Sequence, residues 1–368
     1  MPAGFKLPAF FYVFIQDTKD TISLLLKYNQ IFTMKTARRL SFSGLFILAF
    51  MLLFSACKEQ TGSTKAESTG KPSEILIVTG RPLWKSSAGD SIRAFFSGPA
   101  VGLPQPEPLY KLAQVEIDEF NRILQPHRNI FIIEIDSSIQ APQIEMRRDV
   151  WAAPQRVVKI TGPSIEGIKS IFEQKKYEIL NLYDNAEIER QQKLYSRSLN
   201  IKAIELIQKK FNLKMNIPAD YFVAVNKDNF VWIRREANKL SQGLILYSYP
   251  YTDTNAFNGN KIKAVRNQFT ELFVPGPSDS SYMIVADEFI QPVNRSIKLK
   301  DELAVETRGL WEVRKDFMGG PYISYTFVDR KNNMVVTLDG YVYAPNEDKR
   351  DLLKQVQAVL LSFEFVEK

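Results

Sequence analysis

The side chains that most often carry catalysis or bind metals are scarce in this chain. It contains one cysteine, Cys57, and one histidine, His127. An intramolecular disulfide and a zinc site built from several thiolates are therefore excluded. Ser-His-Asp catalysis would have to use His127, and the sequence has no Gly-x-Ser-x-Gly turn to supply the serine. Within its Gln-Pro-His-Arg-Asn segment, His127 is more simply interpreted as a turn or surface residue.

Carboxylates are the remaining catalytic candidates. Two acidic clusters, Glu-x-Asp-Glu at 116–119 and Asp-x-x-Glu-x-Glu at 184–189, could bind Ca²⁺ or hydrolyse glycosides. Neither has the alternating Asp/Asn and glycine of a calcium loop, so a solvated helix face is the simpler interpretation. Gly-Gly-Pro at 319–321 lacks the Lys-Ser/Thr of a phosphate-binding loop and predicts a tight turn or bulge. We expect no catalytic residue, metal or cofactor, with a hydrolase acting through unrecognised carboxylates as the alternative.

Three further features could form binding or modification sites. Trp311, Tyr322 and Tyr325 flank the Gly-Gly-Pro segment and could line a binding surface, although such aromatic residues are more often core. The proline-rich stretch 104–108 could be a rigid binding loop or a plain connector. Asp-Ser-Ile at 90–92 resembles the three-residue O-glycosylation site of Bacteroidota envelopes, which makes Ser91 a candidate for modification.

The segment that ends at Cys57 has the pattern of an export signal. From Met34, basic residues precede ten consecutive apolar residues at 45–54, followed by Ser-Ala-Cys. Ten residues suit a signal-peptide core and are too few to cross a bilayer as a helix. The segment resembles a bacterial lipoprotein signal, although Phe54 departs from the commonest leucine. The resemblance implies cleavage before Cys57 and lipid on its sulfur; a plain secretory signal and a catalytic thiol are the alternatives.

Residues 1–56 are therefore excluded from the predicted fold. Residues 1–33 are interpreted as an over-extended start, with translation beginning at Met34, or as a long n-region of the signal that is also removed on cleavage. Residues 1–56 hold six basic and two acidic residues, which leaves 42 bases, 39 acids and a net charge of +3 in 57–368. These charges are interspersed, which argues against a nucleic-acid partner. Residues 58–73 are polar and predict a flexible tether after Cys57. Inner-membrane lipoproteins typically carry Asp directly after the lipidated cysteine, and this chain has Lys58 there. The same resemblance therefore implies the outer membrane. It leaves both orientations open, with the protein facing the periplasm or the cell surface.

The remaining chain predicts an α+β fold in two regions. Residues 74–215 combine short aliphatic strands, such as Glu-Ile-Leu-Ile-Val from residue 74, with helices, which indicates a mixed α/β region. Residues 216–368 contain strands arranged as hairpins, a helix near 258–273 and a final amphipathic helix near 352–360. We expect the second region to be an antiparallel sheet packed by helices.

Three motifs spread along the chain carry a family resemblance. They are Gly-Asp-Ser-Ile-Arg from residue 89, Arg-Gly-Leu-Trp-Glu-Val from residue 308, and the segment 339–360. They resemble an uncharacterised Bacteroidota lipoprotein family, domain of unknown function 4837, over residues 70–365. The C-terminal part is also loosely similar to the PsbP-like α/β/α sandwich. The resemblance implies lipidation and an envelope location, and no activity. We therefore expect a non-enzymatic binding or assembly module, held in the membrane through Cys57, with an envelope protein or glycan as partner.

Overall fold

The structure is a computed structural model that describes residues 65–366. Cys57, the signal segment and residues 58–64 lie outside this range. The described residues belong to one compact unit, and both helices and strands contribute to it, which confirms the predicted α+β class. No helix within residues 65–366 is long and apolar enough to cross a membrane.

The first half contains a five-stranded sheet with helices on one face. Its elements are β1 (Ala66–Glu67), β2 (Glu74–Val78), α1 (Arg81–Trp84), α2 (Ser87–Phe96), β3 (Lys111–Val115), β4 (Asn129–Ile135), β5 (Gln143–Arg148), β6 (Ala152–Ala153), β7 (Arg156–Gly162) and α3 (Ile165–Tyr195). The strand order is β3-β2-β4-β7-β5, in which β5 alone runs antiparallel to its neighbour.

Helical spacing explains how α3 covers this sheet. Ile168, Phe172 and Ile179 recur on one helical face and are fully buried against β2, β4 and β7. The side chain of Ser164 accepts a hydrogen bond from the backbone N–H of Gly167, which caps the start of the helix. The opposite face of the sheet has a smaller apolar cluster, covered partly by the irregular segment 116–128.

The chain is bonded to the body from Lys65 onward. Strand β1 pairs in parallel with β6. Thr69 donates its backbone N–H to the carbonyl of Pro126 at 2.9 Å, and its own carbonyl accepts from the N–H of Arg128 at 2.9 Å. The flexible tether predicted over 57–73 therefore does not extend to residues 65–73, because backbone hydrogen bonds fix this polar segment without apolar burial.

The second half is built on an antiparallel sheet. Its elements are α4 (Ile201–Phe211), β8 (Leu213–Lys214), β9 (Phe222–Lys227), β10 (Phe230–Ala237), β11 (Leu240–Pro250), α5 (Gly259–Phe273), β12 (Tyr282–Ala286), β13 (Val293–Leu299), β14 (Glu302–Arg314), β15 (Gly319–Asp329), β16 (Met334–Tyr343), α6 (Arg350–Leu360) and β17 (Glu364–Phe365). The strand order is β12-β14-β15-β16-β11-β10-β9, and β13 also pairs with β14.

Helices cover both faces of this sheet. Helices α4 and α6 pack on one face, where Val356, Val359 and Leu360 of α6 are fully buried. Helix α5 packs on the other face through Val265 and Phe269. The antiparallel sheet packed by helices is thus confirmed. Helix α4 contributes its buried side chains to the core of this second sheet, while the domain division at 215/216 stays a prediction.

One carboxylate joins the two halves. Glu107, which is 6% exposed, accepts hydrogen bonds from the backbone N–H groups of Lys349 at 2.7 Å and Arg350 at 2.9 Å. The N-cap residue of helix α6, Lys349, forms no capping hydrogen bond through its own side chain. Glu107 therefore supplies the cap from the first half, and its charge suits the positive end of the helix dipole. The proline-rich stretch 104–108, predicted to be a binding loop or a plain connector, thus contains a residue that connects the two halves.

Candidate functional site

His127 is buried rather than a surface residue. It is 8% exposed, with Nδ1 3.0 Å from the carbonyl oxygen of Asn129 and Nε2 3.0 Å from Oε1 of Glu74. Gly70, with φ +93°, lies against the ring so closely that a Cβ there would approach Nε2 to 2.5 Å. Burial raises the pKa of Glu74, and the opposing hydrogen bonds from His127 and the N–H of Lys71 bring it below its usual value. The imidazole thus stabilises the junction of the 65–73 segment with the sheet.

The acidic cluster at 184–189 is bound by groups of the same chain. Glu187, 7% exposed, accepts from Asn129 at 2.8 Å, from Arg190 at 2.7 Å and from Arg128 at 3.1 Å. Four hydrogen-bonding sites on a carboxylate are largely used by three such donors. Glu189 pairs with Arg156. These contacts indicate a structural role for the cluster in place of the solvated helix face expected from sequence.

The position of these groups in the sheet supports that interpretation. Asn129 opens β4, and Glu74 and Arg156 open β2 and β7, so the network lies at the amino ends of parallel strands. Ligands of open α/β sheets bind beyond the carboxyl ends. At the carboxyl end of this sheet, Oε2 of Glu116 accepts the backbone N–H of Arg81 at 3.0 Å. A carboxylate of the chain itself therefore occupies the start of α1.

Lys354 forms the most reaction-like arrangement in the described residues. Its Nζ is 2.8 Å from Oδ1 of Asp184, 3.1 Å from Oγ of Ser73 and 3.4 Å from the hydroxyl of Tyr110. A serine beside a lysine occurs in some hydrolases. Here Nζ of Lys354 is paired with the carboxylate of Asp184, and Ser73 is fully buried, so a substrate has no access to the serine hydroxyl. The geometry fits a polar contact between the halves better than a catalytic dyad.

A second buried ion pair lies under α5. Nε of Arg266 is 2.8 Å from Oδ2 of Asp339, the two side chains are 1% and 0% exposed, and the guanidinium lies 4.1 Å over the ring of Tyr322. Burial raises the pKa of Asp339, and the Arg266 guanidinium opposes that rise. Nη1 of Arg266 has no hydrogen-bond partner within residues 65–366. The pair is enclosed by side chains of the core, so it has no access for a substrate.

The binding surface predicted at Trp311, Tyr322 and Tyr325 is instead interior. These side chains are 2%, 1% and 1% exposed. Trp311 donates its indole N–H to the carbonyl of Val342 at 3.2 Å, and Tyr325 donates its hydroxyl to Glu306 at 3.1 Å. Because helices pack on both faces of the sheet, side chains that alternate between the faces are buried on either side.

The Gly-Gly-Pro segment also differs from its predicted turn. Gly319, Gly320 and Pro321 open strand β15 and pair with β14. A Cβ on Gly320 would lie 2.1 Å from the carbonyl oxygen of Val342, so glycine is required by close backbone approach.

Ser91 lies half-buried within α2, and its modification stays a prediction. The predicted lipidation of Cys57 lies outside the described residues. Within 65–366, no group of three or more His, Cys, Asp or Glu residues is arranged to hold a metal ion.

A groove bordered by both terminal strands of the antiparallel sheet is the most exposed of these candidate sites. Strands β9 and β12 are the terminal strands of the sheet path. Both border a groove of about 440 Å³ with the end of α5, and we call it the edge groove. Its lining residues are Val225, Lys227, Glu271, Leu272, Phe273, Pro275, Ser280, Ser281 and Tyr282.

The edge groove combines apolar side chains with unpaired strand edge. Leu272 is 64% exposed, and Phe222 and Val223 on the adjoining part of β9 are 48% and 37% exposed. No further described strand pairs with the outer side of β9, so backbone donors and acceptors face outward there. A bulge in the pairing of β9 with β10 limits the regular edge to the part nearest Lys227. The apolar Tyr-Phe-Val-Ala-Val run predicted this strand, but only sheet order shows that it is terminal.

Comparisons with known proteins find two family models that match parts of the chain, and both are described as domains of unknown function. Residues 200–362 match the family model described as Domain of unknown function (DUF4837), and residues 68–196 match Domain of unknown function (DUF8532). The first match confirms the predicted similarity to domain of unknown function 4837 for residues 200–362. The predicted extent of 70–365 is too long, because residues 68–196 match a different model. No curated protein matches the chain. A crystal structure of LpqN, described as involved in cell envelope biogenesis of Mycobacterium tuberculosis, aligns at 13% identity over 40% of this chain and 79% of that chain. Its TM-score of 0.24 is too low to support an argument.

Proposed function

We propose, from the premise that residues 200–362 belong to the DUF4837 family, that this protein is a lipid-anchored outer-membrane protein of the cell envelope. Its body is a non-enzymatic binding or assembly module that uses the edge groove. The partner is an extended polypeptide segment of another envelope protein. The exposed strand edge beside the apolar groove is the observation that carries this proposal.

The anchor is supported by sequence. The basic start, the ten apolar residues and the Ser-Ala-Cys ending at Cys57 form a lipoprotein signal pattern. Several acyl chains on one residue make membrane attachment stable, because each buried methylene contributes about 0.8 kcal/mol. Cys57→Ser is expected to release the protein from sedimented membranes and to abolish a lipid mass increment. Unchanged processing and attachment in Cys57→Ser would refute the anchor.

An extended segment suits the edge groove for three reasons. The outward backbone of β9 can pair with a strand from another chain, the recognition mode of β-strand addition. Val225 and Leu272 offer apolar contacts for alternate side chains of that strand. Lys227 and Glu271 line the same groove and provide one charge of each sign, which favours one orientation of a partner with matching charges.

Site-specific photo-crosslinking in native envelopes tests this surface. A benzophenone amino acid at position 225 is expected to form an adduct with one discrete envelope protein, whereas the same probe at exposed Tyr177 on α3 is not. Leu272→Asp is expected to abolish the adduct, and Leu194→Asp, at a leucine 51% exposed outside the groove, is the matched control. Equal adducts from both positions, an adduct with glycan alone, or turnover of an envelope glycan or ester by the purified protein would refute the proposal.

A further inference from the structure

The point where the chain enters the described body is defined by three adjoining segments. Residues 65–73 pair with 152–153 through β1 and β6 and with 126–128 through Thr69. Nζ of Lys65 donates to the carbonyl of Asp149. We call the surface formed by residues 65–73, 121–128 and 147–154 the entry face. Phe120, which directly precedes the second segment, packs edge-to-face on Trp151 of the third segment with ring centroids 5.3 Å apart, and this contact joins the two segments.

The covalent chain limits the distance of this face from Cys57. Eight residue steps separate Cys57 from Lys65. A fully extended chain spans about 3.3–3.6 Å per residue, so these steps reach at most roughly 29 Å. A compact domain of about 300 residues is roughly 50 Å across by the scaling of its radius of gyration. Lipid on Cys57 would therefore keep the entry face nearer to the bilayer than the far side of the body.

The charge of the entry face suits a lipid surface. Its three segments contain six basic residues and two acidic residues, a net charge of +4. Residues 57–368 as a whole carry +3, so all remaining residues of that range sum to −1. Arg128, Arg147 and Arg148 pair with Glu187, Glu145 and Glu189, which lie just outside these segments. The exposed Lys65, Lys71 and Arg122 are therefore the basic residues that the entry face offers to an anionic surface. Basic residues near a membrane surface are attracted to anionic headgroups.

An exposed apolar side chain stands among these charges. Ile123 is 82% exposed in the segment next to Arg122. Its neighbour Leu124 is partly buried under the sheet, which holds the segment in place. Apolar side chains together with basic ones favour the headgroup boundary of a membrane, and Ile123 follows Arg122 directly.

We infer that the entry face lies against the lipid surface, with Ile123 in contact with the headgroup region and with Lys65, Lys71 and Arg122 facing anionic lipid. This orientation rests on the proposed lipid anchor at Cys57. It directs the amino ends of β2, β4 and β7 toward the membrane.

Tryptophan quenching by brominated phospholipids measures this orientation. Ile123→Trp and Phe317→Trp are prepared in processed protein purified from membranes, and intact mass establishes whether Cys57 carries lipid. Phe317 is a matched exposed apolar residue in the turn between β14 and β15. In vesicles containing anionic lipid, we expect the added emission of Ile123→Trp to be quenched several-fold more than that of Phe317→Trp. Adding Arg122→Glu should reduce the quenching, and adding Lys261→Glu, at an exposed lysine of α5, should not.

The outcomes separate the orientation from the anchor. Cys57 without a lipid mass increment refutes both the anchor and the orientation. Lipidated protein in which Phe317→Trp is quenched as much as Ile123→Trp overturns the orientation alone. Loss of quenching with Lys261→Glu as large as with Arg122→Glu also overturns the specific role of the entry face. Circular dichroism of each variant verifies that the fold is retained.

Discussion

Replacement of Glu107 by alanine is expected to destabilise the protein far more than its position in a proline-rich connector indicates. The carboxylate accepts two backbone N–H groups at the start of α6, from Lys349 at 2.7 Å and Arg350 at 2.9 Å. It is 6% exposed, so water cannot readily replace it. Alanine would leave both donors without an acceptor and remove a negative charge from the helix amino end.

The expected magnitude follows from three overlapping effects. Loss of an N-cap costs about 0.5–2 kcal/mol. A buried donor left without a partner costs about 1–3 kcal/mol. Loss of a partly buried charge near a helix end costs up to about 2 kcal/mol. Because these effects share the same two contacts, we expect Glu107→Ala to lower the free energy of unfolding by about 3 kcal/mol. Glu107→Gln retains one acceptor oxygen but turns its amide NH2 toward the other backbone N–H, so it should cost about 2 kcal/mol.

Urea unfolding followed by circular dichroism measures this effect. Gln105→Ala is the matched control, because Gln105 is exposed two residues away in the same connector. It should change the free energy of unfolding by less than about 0.5 kcal/mol. A Glu107→Ala protein as stable as Gln105→Ala would show that Glu107 does not cap α6. A loss with Glu107→Gln equal to that with Glu107→Ala would show that charge, and not the acceptor, carries the effect.

Three further perturbations test the buried network and the sheet. Asp339→Ala should lower the free energy of unfolding by about 3–5 kcal/mol, because Arg266 would stay buried without its counter-ion. In urea unfolding, the double variant Asp339→Leu with Arg266→Met should recover most of this lost stability. Burial raises the pKa of Asp351, but hydrogen bonds from Arg350 and the Ser73 hydroxyl bring it below its usual value. Its stabilisation is present above about pH 4 and lost as pH falls through the lowered value, so Asp351→Asn should show a shallower decline in urea midpoint below pH 4. Gly320→Ala should cost about 1–3 kcal/mol in thermal or urea unfolding, because its Cβ would meet a backbone carbonyl; a neutral change would contradict the close approach.

Local patterns in the sequence were sufficient for the type of most elements, although the Gly-Gly-Pro segment predicted as a turn or bulge opens strand β15. Ile168, Phe172 and Ile179 recur at helical spacing and are buried on one face of α3, and the stripe near 352–360 becomes α6. Aliphatic runs such as the one from Glu74 become strands. These features are readable because the residues that define a helix face or a strand lie within a few positions of one another. The α+β class follows from their succession.

The candidate sites depended on contacts that sequence spacing does not encode. Trp311 and Tyr325 have the composition of a binding surface, but helices that cover both faces of the sheet make them core. Glu187 belongs to an acidic cluster, but its partner Asn129 lies 58 positions earlier. Glu107 and Lys349 are separated by 242 positions. No local sequence pattern indicates which distant residue will pair with a buried charged side chain, because the order of the strands in the sheet decides which residues come into contact.

The sequence by itself determined the signal pattern ending at Cys57, the shortage of cysteine and histidine, the class of fold and most of its elements. Each depends on composition or on neighbours along the chain. The tertiary structure alone decided that β9 is a terminal strand, that Glu116 and Glu187 are bound by groups of the same chain, and that the segment after Lys65 is held to the body. Those properties depend on long-range strand pairing and burial, which bring together groups that the sequence separates.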